Sequence, residues 1–271
     1  MLVAVDTGGT KTLIGGFRDG QLVNPTIHFP TPKKQDEYVS LLRQMLEQTY
    51  RQEEVEGLVV GLPGIIEGGV AVWCNNLGWQ NFAAQQALAG VLGNAPVFIE
   101  NDANLAGLAE VRSLDPLPAA ALYVTISTGI GTGVITQGSI DPGLRRSEGG
   151  RMLIEFDGTL REWEDFASGQ AIIQVYGKYA HDITSIDTWN EIADRISRGF
   201  LAVIPMLQPD TVIIGGSIGT YFDRYKDQLV QILNTHLPPH IPCPQFIAAT
   251  HPEEAVLYGC NYYALDHLAH R

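Results

Sequence analysis

Apolar and polar positions change period several times along the chain, and each change marks an element. The opening stretch MLVAVDTGGTKTLIGGFRDGQLV has an apolar run ending at Asp6, a Gly/Thr turn, the run TLIGGF and an Asp19-Gly20 turn. That pattern predicts strand, turn, strand, hairpin, strand. Residues 35–50 place Val39, Leu42, Met45 and Leu46 at helical spacing and predict a helix. VEGLVVGLPG predicts a buried strand that ends in a Pro63-Gly64 loop. AAQQALAGVLG predicts a helix closed by Gly93, and APVFIEND a strand running into the helix ANLAGLAEV. Alternating strands and helices predict an α/β lobe with parallel pairing.

The Pro-rich stretch SLDPLPAAA (113–121) has the composition of a boundary. LYVTISTGIGTGVITQGSI then repeats the opening plan of apolar strand, Gly/Thr turn and strand, about 120 residues further on. Helices are predicted near 167–180 and 188–206, then the strand TVIIGGSIG, a helix over 221–235, a strand over 245–249 and a last helix over 253–269. The pattern divides the chain into a smaller lobe (1–113) and a larger lobe (114–253). The C-terminal helix, about 254–271, is free to pack back on the first. Two lobes, each with a Gly/Thr hairpin, suggest a cleft.

Composition narrows the function classes. With 271 residues, 45% hydrophobic and 17% charged, the chain reads as an ordinary globular protein. A formal charge of −13 argues against nucleic acid as a partner, because phosphate backbones demand clustered Lys and Arg. No basic segment with a cleavage site precedes MLVAVD, which predicts a cytoplasmic location. No apolar run approaches the roughly 20 residues of a membrane span, so no membrane partner is expected. Cys74, Cys243 and Cys260 are scattered, which leaves neither a disulfide framework nor a CxxC metal site.

The Gly/Thr hairpins are the first candidate chemistry. Such turns bring backbone N–H groups and hydroxyls within reach of phosphate oxygens. The first has Gly8, Gly9, Thr10 and Lys11; the second has Thr128, Gly129, Gly131 and Thr132. One such hairpin is as readily a plain β-turn, but two copies at matching places weaken that reading. Neither is a Walker loop, since Thr10 rather than Gly precedes Lys11-Thr12. GIGTG is no dinucleotide fingerprint either, because VITQG reads as strand. A third signal is Gly215-Gly216 at the end of VIIGGSIG, where a base or ribose could lie flat against a turn without side chains.

Asp6-Thr7-Gly8-Gly9-Thr10, the run Ser127 to Gly133, and Gly215-Gly216 resemble two phosphate motifs and an adenosine motif. Those motifs mark the superfamily of sugar kinases, actin and heat-shock ATPases. Within it, DTGGTK, LPG, NNLGW, ENDANLAGLAE and EDFASG are similar to the ROK family of bacterial sugar kinases and sugar-responsive repressors, glucokinase-like members included. The resemblance covers nearly the whole chain in order. It implies an α/β fold of two ribonuclease-H-like (actin-like ATPase) lobes and an ATP:hexose phosphotransferase acting at the 6-hydroxyl. It also implies ATP and Mg²⁺ as cofactors, a hexose as substrate and a possible homodimer. A sugar-sensing regulator without catalysis, and a kinase using polyphosphate, are the alternatives.

Phosphoryl transfer to an alcohol needs a carboxylate near the attacking hydroxyl. Asp102 follows the strand VFIEN and opens a helix, where capping alone is the usual duty of Asn101 and Asp102. The companion motifs make Asp102 the general base by resemblance, with Asn101 holding a neighbouring hydroxyl. Asp6 would orient Mg²⁺ through a water, against the alternative of a local Asx turn. Lys11 is either a phosphate contact or an exposed strand lysine.

Gly64, Asn76, Asn101 and Asp102 are the first lobe's candidate sugar contacts. The family supplies two further glutamates and a histidine, matched here by Glu148, Glu164 and, in place of the histidine, Arg151. The cysteine cluster that binds structural zinc in the family is absent: FDGTLREWE stands there, so no zinc is expected. Packing of Phe156, Trp163 and Phe166 would have to hold this loop. Arg151 is expected to pair with Glu162 or Glu164, or to donate to the sugar. His236, His240, His251, His267 and His270 lack ligand spacing and read as surface; Trp73, Trp79, Trp163 and Trp189 read as packing groups.

Overall fold

The computed structural model describes residues 1–251 and 254–269. The chain forms two compact units: Met1–Ala109 with the C-terminal helix, and the intervening segment that starts at Glu110.

The first unit opens with β1 (Leu2–Thr7), β2 (Lys11–Arg18) and β3 (Gln21–Pro30), followed by α1 (Gln35–Tyr50) and β4 (Gly57–Leu62). A small meander comes next, β5 (Ile65–Glu67), β6 (Val70–Cys74) and β7 (Trp79–Phe82), then α2 (Ala84–Leu88), β8 (Val97–Asn101) and α3 (Asp102–Arg112). The main sheet runs β3-β2-β1-β4-β8. Its first two pairings are antiparallel, and β1·β4 and β4·β8 are parallel. Every residue of β4 is buried, as a central parallel strand covered on both faces requires. On α1 the fully covered stripe is Tyr38, Leu42, Leu46 and Tyr50, spaced by four; Val39 and Met45 flank it half-buried.

The second unit repeats this plan. It contains β9 (Ala120–Ile126), β10 (Ile130–Thr136), β11 (Ser139–Ile140), the hairpin β12 (Leu153–Phe156) and β13 (Thr159–Glu162), and α4 (Trp163–Ala167). Then come α5 (Gly169–Tyr176), α6 (Ile186–Leu207), β14 (Thr211–Gly215), α7 (Gly216–Gly219), α8 (Lys226–His236) and β15 (Gln245–Ala248). Its sheet runs β11-β10-β9-β14-β15 with the same sequence of antiparallel and parallel pairings. Both sheets therefore have the ribonuclease-H-like order. The C-terminal helix α9 (Ala255–Leu268) belongs to the first unit, where the backbone of Gly259 lies against Leu105 too closely for any side chain.

Near the start of the second unit, Glu110 is a buried carboxylate. It accepts the Thr250 N–H at 2.8 Å, the Thr250 hydroxyl at 2.9 Å and the His251 N–H at 2.7 Å. The His251 ring lies 3.3 Å from it, so His251 is a paired group rather than a bare surface histidine. His236, His240 and His267 are exposed, and His270 lies outside the described residues. Trp79, Trp163 and Trp189 are buried and Trp73 half-buried.

Local predictions failed in instructive places. The helix expected through Gly93 stops at Leu88, because Ala89 turns extended and Gly90 takes φ +74°. The stretch expected as one helix over 221–235 is a short 3-10 turn, Phe222–Arg224, followed by α8. The helix expected to reach 180 ends at Tyr176, where Gly177 caps it in the left-handed region. The β5–β6–β7 meander and the β12–β13 hairpin were not anticipated.

Candidate active site

The first glycine hairpin joins β1 to β2, and the Gly8 N–H donates to the Lys11 carbonyl at 2.9 Å. The segment after β3 braces it. Thr31 donates its hydroxyl to the Gly8 carbonyl and its N–H to the Thr10 carbonyl, both at 2.9 Å, and its hydroxyl also meets that of Thr12. Lys33 Nζ donates to the Gly9 carbonyl at 2.8 Å. The carbonyl oxygens of the turn, which would repel a phosphate, are thus engaged by donors. Thr7, at the end of β1, is held through its hydroxyl by the buried Tyr38 hydroxyl at 2.7 Å.

Two partly covered carboxylates sit beside this hairpin. Asp6 on β1 is pushed up to about 7, chiefly by burial and further by Asp102, with the Lys11 cation opposing. Asp102 is pushed up to about 6 by burial, against hydrogen bonding that includes the Ala103 N–H at 2.8 Å. The capping duty falls on Asn101, whose Oδ1 accepts the Asn104 N–H at 2.9 Å while its Nδ2 donates to the Gly64 carbonyl at 2.8 Å. Asn101 keeps one N–H and one lone pair beyond these contacts. Gly64 is glycine of necessity: its φ is +90°, and a Cβ there would collide with the Trp73 carbonyl. Asn76 is exposed on the 3-10 turn Asn75–Leu77 of the same unit. Lys11 is exposed at the start of β2.

The second glycine hairpin joins β9 to β10, and the Ser127 N–H donates to the Gly129 carbonyl at 2.9 Å. Here the brace is acidic. Glu164 Oε2 accepts the Ile130 N–H at 3.1 Å and would lie 2.6 Å from a Cβ on Gly129. The buried Thr132 hydroxyl accepts the Gly149 N–H at 2.9 Å, tying β10 to the loop that carries Glu148; Gly131 lies between them on the strand. Gly215 packs against the Tyr123 hydroxyl, and Gly216, with φ +79°, against the backbone of Ile126. Exposed Thr128 and Ser217, the residue that follows this Gly-Gly turn, line a cavity of about 490 Å³ together with Gly169, Tyr179, Ile218 and Tyr221. That volume falls in the range of small-molecule sites, about 300–1,000 Å³.

Arg151 pairs with both candidate glutamates, Glu162 at 2.5 Å and Glu164 at 3.0 Å, and the Glu148 charge also faces it. The loop between Glu148 and Glu164 is the β12–β13 hairpin, turned by Asp157-Gly158 with both φ positive (52° and 76°). This is the two-residue turn that an Asp-Gly pair favours. The dipeptide in FDGTL was the legible signal, and it was missed. Phe156 stacks on Phe166 with ring centroids 4.3 Å apart, and Trp163 packs against Gly199 and Phe200. Aromatic packing and an ion pair therefore shape this loop. Among the described residues no cluster of His, Cys, Asp or Glu has the form of a metal site. No helix there is long and apolar enough to cross a membrane.

Two units of ribonuclease-H-like order, each with a glycine hairpin, define an actin-like ATPase fold. The chain belongs to the ROK family, whose model matches residues 2–267. It is 29% identical over 241 residues to a polyphosphate glucokinase of Mycobacterium tuberculosis (strain CDC 1551 / Oshkosh), an overlap covering 86% of this chain and 82% of that one. Among solved structures it resembles a ROK family glucokinase from Streptomyces griseus in complex with glucose and AMPPNP. That match has a TM-score of 0.82 at 21% identity and covers 98% of this chain and 99% of the other. It also resembles an inorganic polyphosphate/ATP-glucomannokinase from Arthrobacter sp. strain KM, with TM-score 0.74, 26% identity and 98% of each chain covered.

Proposed function

We propose that the chain is an ATP- and Mg²⁺-dependent hexose kinase that phosphorylates a hexose at its 6-hydroxyl, with Asp102 as the general base. The observation that carries this reading is Asp102 itself: a partly covered carboxylate, pushed up to about 6, beside the first glycine hairpin. Asn101 takes the helix cap by accepting the Asn104 N–H, and Asp102 Oδ1 accepts the adjacent Ala103 N–H at 2.8 Å. At neutral pH Asp102 is mostly ionised, yet basic enough to take the hydroxyl proton as the phosphoryl group transfers. Asp6 suits a water-mediated hold on Mg²⁺, which when bound neutralises charge on the donor phosphates. Gly8, Gly9 and Thr10 would offer amides to phosphate, and Lys11 a cation. In the second unit Thr128, Gly129, Gly131 and Thr132 belong to the donor, with Gly215 and Gly216 beside its nucleoside. Gly64, Asn76, Asn101, Glu148 and Glu164 would meet sugar hydroxyls.

The three relatives described above support this reading, since each is a sugar kinase by name. Two of them are named for polyphosphate, which makes the donor an open choice between two phosphate sources. The cavity beside Gly216, with Tyr179 and Tyr221 on its wall, favours a nucleoside triphosphate. Arg151 takes the family histidine's place already paired, so Glu164 meets a sugar as part of an ion pair. That favours a substituent pattern on the hexose other than the one an imidazole selects. The test is phosphate transfer over a panel of hexoses, hexosamines and N-acetylated hexosamines, with ATP and polyphosphate as separate donor arms. Turnover of at least one sugar with ATP is expected. Sugar binding without turnover in either arm would instead indicate a sugar-sensing regulator.

A further inference from the structure

Lys33 is an exposed lysine held at three points. Its own carbonyl accepts the indole N–H of the buried Trp79 at 2.7 Å. Its ammonium donates to the Gly9 carbonyl at 2.8 Å and to the Asn76 carbonyl at 3.4 Å. Gly9 is the middle of the first glycine hairpin, and Asn76 stands on the turn that closes β6 onto β7. The two backbones run close together, with a Cβ on Gly9 falling 3.5 Å from the Asn76 Cβ.

We propose that Lys33 is a positioning residue for phosphoryl transfer, fixing the first glycine hairpin against the Asn76 turn. The inference rests on the kinase reading, in which the hairpin faces donor phosphate and Asn76 faces the sugar. Two carbonyl oxygens that converge repel one another, and an ammonium with three donors satisfies both without demanding a plane. Because the site is exposed, water can replace the lost hydrogen bonds, so removing the ammonium costs little stability. Water does not hold the two backbones in register, however. A displacement of about 1 Å between reacting groups costs up to roughly a hundredfold in rate. Lys34 provides the contrast: its ammonium makes a surface pair with Glu37 at 2.8 Å.

The test compares Lys33→Met, Lys33→Arg and Lys34→Met for kcat, for KM of both substrates and for melting temperature. Lys33→Met should lower kcat by about tenfold to a hundredfold, with the sugar KM within about threefold and melting within about 2 °C. Lys33→Arg, which still bridges two carbonyls, should recover to within about threefold, and Lys34→Met should match wild type. A kcat for Lys33→Met within about twofold of an active wild type would overturn the role and leave the kinase reading standing. So would no rescue by Lys33→Arg, or a rate loss matched by a melting drop of about 10 °C. A wild type inactive with every sugar and donor would overturn the kinase reading, and this role with it.

Discussion

The two glycine hairpins share a backbone plan and differ in what supports them. Behind the first stand hydroxyls and an ammonium, from Thr31 and Lys33, with the carboxylates of Asp6 and Asp102 beside it. Behind the second stands a carboxylate, Glu164, which holds the Ile130 N–H and is itself held by Arg151. The same β-hairpin has thus been given to two duties. At the first, burial raises two carboxyl groups, and the proposed kinase reading places its acid–base chemistry there. At the second, the acid is tied into an ion pair, and the neighbouring cavity suits a nucleoside. Repetition of a motif predicts repetition of the backbone; side chains from elsewhere decide what each copy does.

The comparison can be broken first at the glycines. Gly216→Ala puts a Cβ against the Ile126 backbone at φ +79°, which should cost about 3 kcal/mol or more. Gly9 has no positive φ, and its Cβ would make an ordinary contact at 3.5 Å, so Gly9→Ala should cost under about 1 kcal/mol. Thermal denaturation of both variants checks this, and equal losses would mean that the turn after β14, which packs on the second hairpin's strand β9, is no more constrained than the first hairpin.

Proton linkage gives a smaller effect of unusual sign. Asp6 and Asp102 have folded values of about 7 and about 6, above the ordinary 3.8. Raised values mean that the folded state binds these protons more tightly than the unfolded chain. Their stabilisation is fully present below pH about 3.8 and is lost as pH rises through about 6 to 7. Asp102→Asn should therefore raise stability of the ligand-free protein at pH 8 by on the order of 1–2 kcal/mol, with no gain at pH 4. Denaturant titrations at the two pH values measure it; a destabilised variant at pH 8 would refute it. Catalysis runs the other way, falling by about tenfold per pH unit below about 6 as the base is protonated.

The smallest effect is at the second hairpin. Arg151→Met leaves Glu162 and Glu164 facing each other unpaired and should cost about 1 kcal/mol, limited by solvent at this partly exposed site. It should also change the ranking of sugars in the substrate panel. An unchanged ranking would remove Arg151 from substrate choice.

Much of the fold was legible because its signals are local. The Gly/Thr turns at 7–10 and 127–131 and the apolar runs before them announced two similar sheets, and α1 followed from its stripe. The meander β5–β7 escaped because its strands are three to five residues long and broken by Gly68 and Gly69, both with positive φ. The stretch ending in Gly93 looked helical from its alanines, but Gly90 ended the helix early. For the candidate site the sequence offers candidate residues and not their contacts. The Lys33 ammonium meets a carbonyl 24 residues back and another 43 ahead, and Glu110 grips residues 140 and 141 ahead. No periodicity or motif encodes such meetings; they follow only from the sheet order.

The central claim is that Asp102, the carboxylate at the start of α3 beside the first hairpin, performs the chemistry. Its most direct test is the turnover number of Asp102→Asn, set beside its dissociation constant for the best sugar of the panel. Loss of turnover by about 10²- to 10⁴-fold is expected, with sugar affinity within about threefold of wild type. Turnover within about tenfold of wild type would contradict the assignment of Asp102 as the base.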